Sequence, residues 1–126
     1  LGLDPNIVNV TSIAGTTTGL DLSDTSATVL LSNGVGTGEV FKVNMISACN
    51  ESSSTANLTL SWNTGAAGGG TAFKITDNLA ITADTSLMVV DRASGLYVQE
   101  GHSLVATASA GNAFHLVCSY EIITDD

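Results

Sequence analysis

Seven consecutive residues, Ala56-Asn57-Leu58-Thr59-Leu60-Ser61-Trp62, alternate apolar and polar side chains without a break. Side chains of an extended strand point to opposite faces in turn, so a period of two builds a sheet with one buried face and one wet face. A helix needs a 3.6-residue period, and no stretch of this chain keeps one over about twelve residues. Tyr97-Val98-Gln99-Glu100-Gly101-His102-Ser103-Leu104-Val105-Ala106-Thr107-Ala108-Ser109-Ala110 repeats the pattern with a break in it. It reads as a strand, a tight turn and a strand.

From Ala27 onward such segments come at short intervals. Ala27–Asn33, Val40–Asn50, Ala56–Trp62, Thr71–Thr76, Leu79–Ile81, Leu87–Asp91, Leu96–Gln99, Ser103–Ala110 and Ala113–Ile123 are predicted strands. Val40–Asn50 places Phe41, Val43, Met45 and Cys49 on one side, with Lys42, Asn44 and Asn50 on the other. Ala113–Ile123 places Phe114, Leu116, Cys118, Tyr120 and Ile122 opposite His115, Ser119 and Glu121. The only proline, Pro5, lies ahead of all of them, so none loses a ladder donor. About eight short strands separated by turns predict an all-β, antiparallel sandwich, either jelly-roll or immunoglobulin-like. The domain at 27–126 is then the sandwich. Residues 1–26 are patterned loosely, with one strand at Ile7–Ile13 and turns at Thr16-Thr17-Thr18-Gly19 and Asp21-Leu22-Ser23-Asp24. They form an N-terminal arm or edge element.

A chain of 126 residues is long enough to bury a core without metals or disulfides. Only 12% of the residues are charged, against about 25% in typical globular domains. Lys42, Lys74 and Arg92 face twelve carboxylates, for a net charge of −9. Nucleic-acid binding needs several cations on one face, and an anionic membrane surface needs the same, so neither is expected as a partner. No apolar run reaches the ~18 residues of a membrane span. No signal-peptide pattern occurs; the chain begins at Leu1 rather than Met, which leaves an earlier leader open.

Catalysis and metal binding find little to work with. Only His102 and His115 offer histidine bases, one in the Glu100-Gly101-His102-Ser103 turn and one on the polar face of the last strand. Neither stands with a nucleophile and an orienting group in a recognisable motif. Cys49, His102, His115 and Cys118 lack the short spacing of a transition-metal site. His115 and Cys118 are three apart on a strand and so point to opposite faces. Asp77, Asp84 and Asp91 recur near strand ends without a calcium-loop pattern, and turn chemistry explains them. Gly34-Val35-Gly36-Thr37-Gly38 precedes a strand rather than a helix, so it reads as a corner with positive φ angles, not a phosphate loop. No catalytic, cofactor-binding or metal-binding residue is assigned, and no cofactor is expected. Cys49 and Cys118 read as buried free thiols, or as a disulfide if their strands lie close enough.

Trp62, Tyr97 and Tyr120 are the aromatics that could stack on a sugar. Trp62 and Tyr120 fall in phase with the apolar residues of their strands, which points inward; Tyr97 falls out of phase with Leu96 and Val98. Asn9-Val10-Thr11, Asn50-Glu51-Ser52 and Asn57-Leu58-Thr59 match the glycosylation sequon, as chance allows in a chain so rich in Asn, Ser and Thr.

One resemblance runs through residues 40–123. Val43-Asn44-Met45-Ile46-Ser47-Ala48-Cys49-Asn50 is followed by a polar turn and Ala56–Trp62. Ala83-Asp84-Thr85-Ser86-Leu87 and Leu96-Tyr97-Val98-Gln99-Glu100-Gly101-His102-Ser103-Leu104 come later. Ala108-Ser109-Ala110-Gly111-Asn112-Ala113 and Val117-Cys118-Ser119-Tyr120-Glu121 close the series. The succession resembles a small β-sandwich domain of virion structural proteins in tailed bacteriophages, especially marine and cyanobacterial phages. His102 stands where such domains often carry Asp, and residues 1–39 are not covered.

The resemblance implies a non-enzymatic virion component. The expected role is a capsid decoration (cement) protein on the head, bound to the major capsid protein or other virion proteins and homo-oligomeric. A neck or tail accessory protein is the alternative. A carbohydrate-binding or adhesion module is a second alternative, and it requires Tyr97 exposed beside polar side chains.

Overall fold

A computed structural model describes residues 10–125. Pro5, Asn9 of the first sequon and the Ile7–Asn9 part of the first predicted strand lie outside the described residues. Within them the chain forms strands β1 (Val10–Leu22), β2 (Thr28–Ser32), β3 (Glu39–Asn50), β4 (Ala56–Asn63), β5 (Ala72–Ile81), β6 (Thr85–Val90), β7 (Tyr97–Val98), β8 (Ser103–Ala108) and β9 (Phe114–Asp125). Two short 3-10 turns interrupt them, at Ala66–Gly68 and Arg92–Ser94.

The strands make two antiparallel sheets, as the alternating pattern predicts. One has the order β1-β9-β3-β6, with β7 also on β3; the other has the order β2-β8-β4-β5. The pairing has a simple logic. β1, β2, β3 and β4 pair in turn with β9, β8, β6 and β5. This is a two-stranded ribbon folded over on itself. The β3–β9 and β4–β8 ladders then close each sheet. A ribbon wrapped in this way is a jelly roll, which decides between the two sandwich types.

The core lies between the sheets. Leu58, Leu60, Leu104 and Ala106 from one sheet meet Val43, Ile46, Ala48, Phe114, Leu116 and Cys118 from the other, all buried. Phe41 and Tyr120 pack together within the β1-β9-β3-β6 sheet, with ring centroids 5.2 Å apart.

Two buried asparagines lock the places where the ribbon bends from sheet to sheet. Asn33, fully buried, follows β2. Its side-chain amide donates to Glu39 O at 2.8 Å and to Val98 O at 3.1 Å, and its Oδ1 accepts from Thr37 Oγ1. Its backbone N–H donates to His102 O, and its carbonyl accepts from Gly101 N–H. One residue therefore ties the β2–β3 corner to the adjacent β7–β8 corner. Asn50 does the same at the next bend. It donates to Ser54 O in the β3–β4 corner and to Ile81 O at the end of β5, while its Oδ1 accepts from Ser52. At the tip between β4 and β5, Asn63 donates to Gly68 O, and the Ser103 hydroxyl donates to Gly65 O.

Several local expectations are met. Gly36 and Gly38 have φ of 77° and 70°, as the corner reading requires. Asp91 caps the 3-10 turn by accepting from Ser94 N–H, and Asp84 sits at φ 56° in the β5–β6 turn. Three local expectations are corrected. Thr16–Gly19 is not a turn but the middle of β1, paired residue by residue with Tyr120–Val117 of β9. Thr71–Thr76 and Leu79–Ile81 are one strand, because a bulge with Asn78 at φ 51° keeps the pairing to β4 through the apparent break. A second bulge, between Val43 and Met45, shifts the phase of β3. Ile46, Ala48 and Asn50 therefore point inward, and Cys49 points outward.

Replacing Asn33 by alanine is expected to leave Glu39 O and Val98 O without donors in a buried corner. The loss is about 2–4 kcal/mol, read as a lowered urea midpoint at an unchanged m value.

Candidate interaction surfaces

The functional candidates in this fold are surfaces. The outer face of the β1-β9-β3-β6 sheet carries one polar row, set by register: Asp21 faces His115, His115 faces Cys49, and Cys49 faces Ser86. His115 Nε2 lies 3.6 Å from Asp21 Oδ1 and closer still to Glu51 Oε2. These groups are largely exposed, so the contacts are solvent-screened, and they count as ion pairs only with a charged imidazole. Among the described residues no group of three or more His, Cys, Asp or Glu is arranged to hold a metal ion. No helix among them is long and apolar enough to cross a membrane.

His102 lies at the other end of the chemistry. Its ring meets Trp62 edge-on at 5.0 Å, and Trp62 packs against Phe73 at 5.7 Å. The imidazole Nδ1 is buried and has no hydrogen-bond partner among the described residues. The two histidines therefore stand apart, one in an aromatic cluster and one on an open sheet face.

The cysteines are both free. Cys118 is buried on the inner face of β9 opposite Ile46, and Cys49 is half-buried on the outer face of β3. The β3 bulge is what separates them. The expectation of two buried thiols thus holds for Cys118 and fails for Cys49. Burial pushes the Cys118 thiol up to about 11. Tyr120, on the same inner face, is raised by burial first and then by the charges of Cys118 and Glu39.

Large apolar side chains stand on the outside. Ile13 on β1 is 58% exposed, Phe73 on β5 54% and Met88 on β6 53%, while Val35 at the β2–β3 corner is almost fully exposed. Tyr97 is 47% exposed, as its phase predicted. Trp62 and Tyr120 are partly buried against the core. The two most exposed aromatics, Phe73 and Tyr97, lie in different sheets. Asn50 is buried with both side-chain donors engaged, so that sequon has no free amide to modify.

No protein-family model matches the chain, and no curated protein matches its sequence. Solved structures share its fold. A chain of the Bacillus endospore appendages, described as disulfide-linked pili, superposes with a TM-score of 0.55 at 11% identity, over 91% of this chain and 90% of that one. The Drosophila NLP core, described for pentamer formation and histone binding, gives 0.53 at 13% identity, over 91% and 100%. A chain of infectious bursal disease virus, Gx strain, gives 0.51 at 9% identity, over 90% of this chain and 32% of that one. The chain thus spans about a third of the viral one. At these identities the likeness is one of fold.

The two thiols are expected to separate in a labelling experiment. Cys49 reacts with a thiol reagent in the native protein at pH 8, and Cys118 reacts only after unfolding. The raised Cys118 value also fixes a sign. Below the unfolded thiol value of 9.0 both states hold the proton, and stability is level. Between 9.0 and about 11 the unfolded state loses the proton first, so stability falls as pH rises. Tyr120 adds to the same fall, so Cys118→Ala reduces the alkaline slope without abolishing it.

Proposed function

We propose that this chain is a non-enzymatic structural protein of a virion, and specifically a capsid decoration (cement) protein of a tailed phage. It binds the outside of the head shell in many copies, with the major capsid protein or other virion proteins as partners, and associates with itself. The observation that carries this reading is the surface. A tightly locked jelly roll leaves Ile13, Val35, Phe73 and Met88 exposed, on a chain with three fixed cations. Large apolar side chains outside a rigid scaffold are interface material.

Three further observations support it. The sequence from 40 to 123 resembles virion β-sandwich domains. The same fold occurs in a chain of infectious bursal disease virus and in one from disulfide-linked pili. The histidines, cysteines and carboxylates lie apart or on open faces, which suits a scaffold better than an active site. The mechanism is binding energy. Covering one large apolar side chain contributes about 1.5–3 kcal/mol, and a protein seated across a junction between shell subunits adds that energy to the cost of separating them.

The adhesion reading has one observation in its favour, the exposed Tyr97. It lacks a second aromatic beside it, since Phe73 belongs to the other sheet.

Copy number in a purified particle tests the proposal. A decoration protein is present in hundreds of copies per particle and is released by conditions that leave the shell closed. A dozen copies or fewer places the chain in a neck or tail, and absence from the particle ends the virion reading.

A further inference from the structure

The most unusual surface in the molecule is the free side of β1. This strand is 13 residues long and pairs with β9 along its whole length. No described strand lies on its other side. Its outward row of N–H and C=O groups is therefore a template for another strand. Natural edges are shielded by charge, by proline, by bulges or by being short. β5 carries Lys74, Asp77 and a bulge at Asn78; β2 and β6 have only 5 and 6 residues. β1 uses none of these devices over Ser12-Ile13-Ala14-Gly15-Thr16-Thr17-Thr18-Gly19-Leu20, and no residue there is charged.

Neither a positive φ nor crowding in the monomer requires the two glycines of this stretch. Gly15 and Gly19 point to the outer face, and neither has a positive φ. A Cβ at Gly15 would meet nothing within 4 Å, and at Gly19 only Leu116 O at 3.8 Å. Glycine in a strand costs stability, and where the fold does not demand it, it marks a place where something approaches from outside. Ile13 lies on the same outer face and is 58% exposed.

We propose that the occupant of this edge is β1 of a second copy, paired antiparallel across a two-fold axis at Thr16. Charge singles out this edge for a second copy. Two chains of net charge −9 repel, and β1 is the longest edge on which they meet without opposing carboxylates. Asp21 lies beyond the stretch and turns toward His115. The sequence also fits itself in this register. With the axis at Thr16, Ile13 faces the second copy's Gly19, Gly15 faces its Thr17, and Ala14 faces its Thr18. Each glycine thus receives a β-branched side chain. With the axis at Gly15, glycine faces glycine. With the axis at Thr17, the two glycines face each other and Ile13 faces Asp21. A half-residue shift sets outer faces against inner ones. The joined sheets form a single continuous sheet through both copies, β6-β3-β9-β1 running on into the second copy's β1. This pairing belongs to the chain itself and holds whichever particle it serves.

Sedimentation equilibrium of the whole chain tests it. The expected mass at tens of micromolar is that of two 12.7 kDa chains. Gly19→Val is the informative variant. A valine there has room in the monomer and a better strand propensity, so the unfolding midpoint holds or rises while association weakens at least ~tenfold. Thr17→Asp places a carboxylate on each side of the axis and gives a folded monomer. In a Cys49→Ser background, Thr16→Cys cross-links to its own copy under mild oxidation and Ser12→Cys does not. A wild-type chain that stays monomeric at ~100 µM overturns the proposal. So does a Gly19→Val dimer as tight as wild type, and so do Ser12 and Thr16 cysteines that link equally well.

Discussion

The fold rests on hydrogen bonds made by Asn33 and Asn50. A two-stranded ribbon that bends from one sheet to the other exposes backbone groups at each bend, because the ladder cannot continue around a corner. Buried and unpaired, such groups cost about 1–3 kcal/mol each. Each asparagine puts a side-chain amide at a bend and reaches both strands of the ribbon at once: Glu39 and Val98 for Asn33, Ser54 and Ile81 for Asn50. The apolar layers give the sandwich its driving force. The two amides help fix which strands lie beside which, and so fix where the outer faces and edges stand.

That rigidity gives the surface its meaning. The polar chemistry of the chain is either consumed in corners and turns or dispersed over an open face. Asn33, Asn50, Asn63, Ser103 and Asp91 hold loops; His115 and Cys49 share a solvent-facing row; His102 packs on Trp62. Beside its exposed carboxylates, the outside carries Thr, Ser and Gly, a scatter of large apolar side chains and one long bare strand edge. In a free acidic monomer such an edge is a hazard. In a repeating assembly it is a contact surface.

Much of the sandwich was legible in the sequence, since period-two alternation is strong wherever one face meets the core. β4 and β9 are the clearest cases. The jelly-roll order was not legible, because strand pairing depends on contacts between residues far apart in the chain. β1 was missed over Thr16–Gly19, where neither face carries large apolar residues: Gly15, Thr17 and Gly19 point out, and Thr16 and Thr18 sit at the rim of the core. The phase of β3 failed at Met45-Ile46-Ser47-Ala48-Cys49, where apolar residues occupy both phases and a bulge chooses between them. Asn33 and Asn50 looked like ordinary turn residues; nothing local says that their side chains reach across to Val98 and Ile81. The free edge of β1 could be recognised only after the pairing was known.

On the proposed reading neighbours cover this scaffold, with β1 as its most exposed template. Amide hydrogen exchange along Ser12–Leu20 measures that directly. On a free edge about every second N–H points away from β9 and exchanges as fast as an unfolded amide. The account predicts that these amides become protected as concentration rises or as the protein is incorporated into its assembly, while the core strands β4 and β8 stay protected throughout. Fast exchange at alternate β1 positions in every state, dilute or assembled, would contradict it.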